Sequence, residues 1–131
     1  MDYNAHANEI AAKLGLKVNI QTSVIQTPPE WGKDSPHGIK YYVTIRKGDT
    51  ASKIRFPFWD SLHNQQQGKK PTVYDILACV SSDLSMPQTA DEVYSEFGEM
   101  KPSRAETIAA WSRKLNEFFT PAEAEALSEI Q

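Results

Sequence analysis

The stretch from Ile39 to Phe58 constrains this chain more than any other. Ile39, Tyr41, Val43 and Ile45 alternate with Lys40, Tyr42, Thr44 and Arg46, and after Lys47-Gly48-Asp49-Thr50 the alternation resumes at Ser52, Ile54, Phe56 and Phe58. Period-two patterning sends every second side chain to one face, so these residues specify two half-buried strands joined by a tight turn. With Gly48-Asp49 as a two-residue loop, Ile45 opposes Ser52, Val43 opposes Ile54, Tyr41 opposes Phe56 and Ile39 opposes Phe58. A slip of one residue would turn the whole apolar set to water, so the pattern fixes which face is buried. Lys17 to Gln26 repeats the alternation, with Val18, Ile20, Thr22 and Val24 on one side and Lys17, Asn19, Gln21 and Ser23 on the other. The expectation is a three-stranded antiparallel sheet.

Helical spacing brackets the strands. Ala7, Ile10, Ala11 and Leu14 form one apolar stripe ahead of Gly15, the residue type that closes helices in the left-handed conformation. Residues 27–38 carry three prolines and two glycines and are expected to form a loop. Beyond a linker over 59–70, Thr72, Thr89, Ser103 and Thr120 each stand three residues before an acid, the spacing of a capping box, which predicts four helices. Their expected apolar faces are Val73, Ile76, Leu77 and Val80; Val93 and Phe97; Ala105, Ile108, Trp111, Leu115 and Phe118; and Leu127 with Ile130. Gly98 is placed to end the second. The fold class is therefore α+β: an N-terminal helix, a three-stranded antiparallel sheet and four C-terminal helices packed on one face of the sheet. At 131 residues this is one domain, 1–58 supplying helix and sheet and 71–131 the helical part.

Composition excludes several classes. The chain is 40% hydrophobic, which argues against disorder, and no apolar run reaches the roughly 18–20 residues of a membrane span. The polar start Met1-Asp2-Tyr3-Asn4 is unlike a signal peptide, so the expected location is cytoplasmic. Cys79 is the only cysteine and sits among apolar neighbours, where packing is its expected role. The three histidines show no helix-face ligand spacing, and the six glycines form no phosphate loop. Gly98-Glu99-Met100-Lys101-Pro102 lacks the alternating oxygen ligands of a calcium loop. No catalytic residue, metal or cofactor is predicted, and the expected role is not that of an enzyme.

Charge points to two binding surfaces. Residues 1–70 hold 10 basic and 6 acidic side chains, whereas 71–131 hold 4 and 11. On the outer face of the hairpin Lys40, Tyr42, Thr44 and Arg46 are expected to face Pro57, Arg55, Lys53 and Ala51. That clusters Lys40, Arg46, Lys53 and Arg55 around Tyr42, a surface able to track phosphates while an aromatic stacks on a base. The acidic half offers Glu92, Glu96 and Glu99 to a basic partner surface, and Trp31, inside the proline-rich loop, is a candidate aromatic anchor.

From Phe56 onward the motif order resembles a family of small proteins encoded by phages, prophages and other mobile elements. The residues that carry the likeness are Phe56-Pro57-Phe58, Ser61-Leu62, the run Pro71-Thr72-Val73-Tyr74-Asp75-Ile76-Leu77-Ala78-Cys79, Glu96-Phe97-Gly98, Ser103-Arg104, Phe119-Thr120-Pro121-Ala122-Glu123 and Leu127-Ser128-Glu129-Ile130. The resemblance implies an accessory protein acting inside a bacterial host cell. In that setting small non-enzymatic inhibitors of host defence, such as anti-CRISPR proteins, bind a host protein or nucleoprotein complex. Nucleic-acid binding by the hairpin is the alternative, and no membrane partner is expected.

Overall fold

The computed structural model of the chain describes residues 2–24, 39–59 and 69–130. In chain order the elements are α1 (Tyr3–Leu14), β1 (Leu16–Val24), β2 (Ile39–Lys47), β3 (Lys53–Trp59), α2 (Val73–Leu84), α3 (Ala90–Phe97), α4 (Pro102–Phe118) and α5 (Pro121–Ser128). The α+β class, the antiparallel sheet and the four helices after it are as the patterning predicts.

The sheet runs β1-β2-β3 with both neighbouring pairs antiparallel. Its register departs from expectation by two residues: Ile45 opposes Ile54, Val43 opposes Phe56 and Tyr41 opposes Phe58. A four-residue loop, not a two-residue one, makes the turn. Lys47 N–H donates to the Ser52 carbonyl at 3.0 Å, and Thr50 N–H returns to the Lys47 carbonyl at 3.2 Å. The Thr50 hydroxyl adds a 2.6 Å bond to that same carbonyl and accepts from Ser52 N–H. The longer loop sets Ile45 against another isoleucine, where the shorter one would have set it against a serine. An even shift changes partners and leaves faces alone, so Val43, Ile45, Ile54 and Phe56 are buried as the alternation requires. Pairing through Lys47 and Ser52 also places Pro57 where a backbone N–H would point away from β2, so the proline removes no ladder bond.

Gly15 ends α1 at φ 68°, ψ 28°, a left-handed conformation that a β-carbon would disfavour. Its carbonyl accepts from Gly48 N–H at 2.6 Å, which ties the junction of α1 and β1 to the hairpin tip. Ala7, Ile10 and Ala11 of α1 join the inner sheet residues, Ile76, Leu77 and Val80 of α2, Leu115 of α4, Phe119, Leu127 of α5 and Ile130 in the main core.

Not every helix packs on the sheet. Val93 of α3 is fully buried against Ala105 and Ala109 of α4 in a second, smaller core, and Phe97, expected on the buried face, is 48% exposed. The buried stripe of α4 is Ala105, Ala109, Ser112 and Leu115, leaving Ile108, Trp111 and Phe118 half-buried at its margins. Small residues occupy the centre because other elements approach α4 closely there; Ser112 is held by a 2.6 Å bond from its hydroxyl to the Met86 carbonyl. Thr72 and Thr120 form complete capping boxes and Thr89 accepts from Glu92 N–H. Ser103 does not cap. Pro102 occupies the first turn of α4 instead, where its missing N–H costs nothing, and Lys101 precedes it without a side-chain bond.

One cation of the sheet turns inward. Lys47, at the end of β2, donates to the Phe118 carbonyl at the end of α4 and lies 3.1 Å from Glu123 in the first turn of α5. Its ammonium also sits 4.7 Å from the centre of the Phe118 ring. Burial by itself would raise the Glu123 carboxyl, but the Thr120 backbone N–H and Lys47 outweigh it and hold its pKa below the ordinary value.

Candidate functional site: the outer face of the sheet

The alternation that buries Val43 and Ile45 must present their neighbours on the opposite face. There the register lays the side chains out in rows crossing all three strands. Lys17, Arg46 and Lys53 form one row, Asn19, Thr44 and Arg55 the next, and Gln21, Tyr42 and Pro57 the third. Lys17, Asn19, Gln21, Arg46, Lys53 and Arg55 are exposed, with Tyr42 and Thr44 half-buried between them. The twist of the sheet leaves a concavity of about 300 Å³ on this face, lined by Lys17, Asn19, Gln21, Thr44, Arg46, Lys53 and Arg55.

The electrostatics are one-sided. Three cations stand directly opposite one another in a single row, an arrangement that by itself weakens strand pairing. Asp49, in the turn beyond the row, meets Lys17 at 2.5 Å, and that contact lowers the Asp49 pKa. Among the described residues no ion pair forms to Arg46, Lys53 or Arg55, and β1, β2 and β3 contain no acidic residue at all. The Arg55 guanidinium lies over the Tyr42 ring, 4.8 Å from its centre, a cation–π contact within the face.

The expected basic face is thus present with altered partners. Arg46 opposes Lys53, Thr44 opposes Arg55 and Tyr42 opposes Pro57, each shifted two residues from the two-residue-turn register. Lys40 lies opposite Ser23 and Trp59 at the far end of the sheet, but its side chain, like the whole of Trp31, falls outside the described residues. The polar side of β1 is the part that hairpin reasoning missed. Lys17, Asn19 and Gln21 belong to the site because β1 pairs with β2, and the signal was their own alternation. Glu92, Glu96 and Glu99 are exposed on α3 and just beyond it, beside the exposed Phe97; the structure groups them on the second core, not on the sheet.

A groove of about 400 Å³ opens on the other side of β3, between Phe56, Phe58, Cys79 and Trp111. Trp111 packs against Phe56 with ring centres 5.1 Å apart and planes tilted by 55°, and donates its indole N–H to Asp83 at 3.0 Å. Burial, reinforced by Asp83, raises the Cys79 thiol to about 11, so it stays protonated near neutrality and is no nucleophile there. Among the described residues no group of His, Cys, Asp and Glu side chains is arranged to hold a metal ion, and no helix is long and apolar enough to cross a membrane. Comparison with protein-family models, with curated proteins and with solved structures finds no match to this chain.

Proposed function

We propose that this is a non-enzymatic binding protein whose outer sheet face takes a nucleic acid, free or within a nucleoprotein complex of a host cell. The observation that carries the reading is the row Lys17, Arg46 and Lys53 with Arg55 beside it, on strands without a carboxylate. Aligned like charges cost stability in the free protein and are repaid by phosphates, whose counterions are released on binding. The overall charge of −3 does not oppose this, because the negative excess lies in residues 71–131 and not on the strands.

Titration of fluorescein-labelled oligonucleotides at rising salt tests the proposal. Three or four phosphate contacts give a slope of log affinity on log salt of about −2 to −4. The double reversal R46E/K53E should abolish binding at low salt, and retained affinity in that variant refutes the assignment. A second reading draws on Phe97, a large apolar side chain 48% exposed beside Glu96 and Glu99. In that reading the acidic α3 end docks on a basic host protein, as an inhibitor from a mobile element would. Pull-down from bacterial lysate with F97S as the control separates the two, since only the docking reading requires Phe97.

A further inference from the structure

We propose that the open edge of β1 joins two copies of this chain, their β1 strands pairing antiparallel about Ile20 to make one continuous sheet. Backbone bonding decides which groups are available there. Lys47 N–H donates to the Ser52 carbonyl, so alternate residues of β2 face β3, and those between them, Tyr42, Thr44 and Arg46, face β1. Their partners Gln21, Asn19 and Lys17 direct their N–H and C=O groups to β2, and Val18, Ile20 and Thr22 turn theirs outward. Among the described residues no strand or loop bonds to those three from the outer side. The sheet has two edges, and only the other is guarded. On β3 the outward positions are Lys53, Arg55 and Pro57, two cations and a residue without an N–H, which are the features that keep an edge from pairing. On β1 they are three uncharged β-branched residues, the types that pair best in strands.

The apolar cover also stops short of this strand. Val43, Ile45, Ile54 and Phe56 are buried on the inner face of β2 and β3, whereas on the same face of β1 Val18 and Ile20 are half-buried and Thr22 is exposed. A second copy fits this edge because β1 is its own complement. A two-fold axis at Ile20 pairs Leu16–Val24 over its full nine residues, the one register that leaves no residue of the strand unpaired. It sets Ile20 against Ile20 and Val18 against Thr22 of the second copy, so each half-covered side chain covers its counterpart. On the outer face Asn19 opposes Gln21 and Lys17 opposes Ser23 of the second copy, so the single charge of β1 meets no like charge. The two cationic rows that begin at Lys17 lie at opposite ends of the joined strands. Pairing of this kind is independent of what the basic face binds.

Sedimentation equilibrium of the full chain over about 1–500 μM tests this, with a reversible dimer as the expected result. N19K/Q21K sets lysine opposite lysine twice across the two-fold axis and should weaken the dimer by about 10-fold or more, whereas N19K/Q21E sets lysine opposite glutamate and should restore it. Thr22→Pro removes an outward N–H and no bond to β2, and should leave a monomer. A parent protein that stays monomeric over the whole range overturns the proposal, as does a dimer that N19K/Q21K and Thr22→Pro leave intact. Failure of N19K/Q21E to restore the dimer overturns the register about Ile20. Should the variants fail to fold by circular dichroism, hydrogen exchange on the parent protein decides. The amides of Val18, Ile20 and Thr22 should exchange more slowly as the protein concentration rises, and exchange there that is indifferent to concentration in a dimeric sample overturns the assignment to this edge.

Discussion

Replacing Lys47 by methionine isolates the contact that fastens the sheet to the α4–α5 corner. Methionine keeps the length and apolar stem of the side chain and removes its charge and donors. What is lost is a charge-assisted bond to the Phe118 carbonyl, the ion pair with Glu123 and the approach to the Phe118 ring. Hydrogen bonds to charged groups contribute about 1.5–3 kcal/mol and an exposed cation–π contact about 0.5–1 kcal/mol. The two partners are only 26% and 17% exposed, so solvent screens them less than a surface pair. Because these terms share one ammonium and do not add, the expected loss for Lys47→Met is about 2–3 kcal/mol. Glu123→Gln keeps the capping-box acceptor to Thr120 and loses only the charge. Urea unfolding of both single variants and the double gives the coupling energy, expected at about 1 kcal/mol at pH 7. The Glu123 pKa is lowered in the folded state, so its contribution is complete above the unfolded carboxylate value of about 4.3 and is lost as the pH falls through the lowered folded value. The difference between parent and Glu123→Gln should close over that acidic range and remain constant above it. A coupling energy below about 0.3 kcal/mol at pH 7, or a difference that widens on acidification, refutes the assignment.

Thermal or urea unfolding should separate true caps from apparent ones: Thr120→Ala costs about 1 kcal/mol, whereas Ser103→Ala, inside the first turn of α4, stays within about 0.5 kcal/mol of the parent. Ser112→Ala removes the fully buried hydroxyl that donates to the half-buried Met86 carbonyl and should cost about 1 kcal/mol in the same measurement. Iodoacetamide at pH 8 should alkylate Cys79 on the order of 100-fold more slowly in the folded protein than in urea, as a thiol raised to about 11 holds little thiolate.

Faces are more legible in the sequence than partners. Alternation over Ile39 to Phe58 decides which side chains are buried, and any even shift of register preserves that decision. The partners depend on loop length, which the Thr50 hydroxyl sets through bonds to Lys47 and Ser52 that no periodicity reveals. Ser103 and Glu106 have the spacing of a cap, but Pro102 beside them is the stronger signal because a ring-locked φ suits the first helical turn. The buried stripe of α4 departs from the expected one because close packing selects Ala109 and Ser112 over the larger Ile108 and Trp111. The same limitation explains the site. The hairpin cations were visible as a cluster, while Lys17, Asn19 and Gln21 joined them only through the pairing of β1 with β2.

Two cores strung along one long helix give the molecule two levels of cohesion. Val93, Ala105 and Ala109 form a patch separate from the sheet-centred core. The connection from α2 to α3 is pinned to α4 by side-chain bonds from Ser112, Arg113 and Asn116. The α3 end is therefore expected to open first, fraying α4 from its N-terminal side while Leu115 and the strands hold. Hydrogen exchange should then show such partial melting as a separate step, with a lower free energy than loss of the whole fold. The acidic end of the protein thus rests on a small core of its own, apart from the larger one that backs the basic sheet.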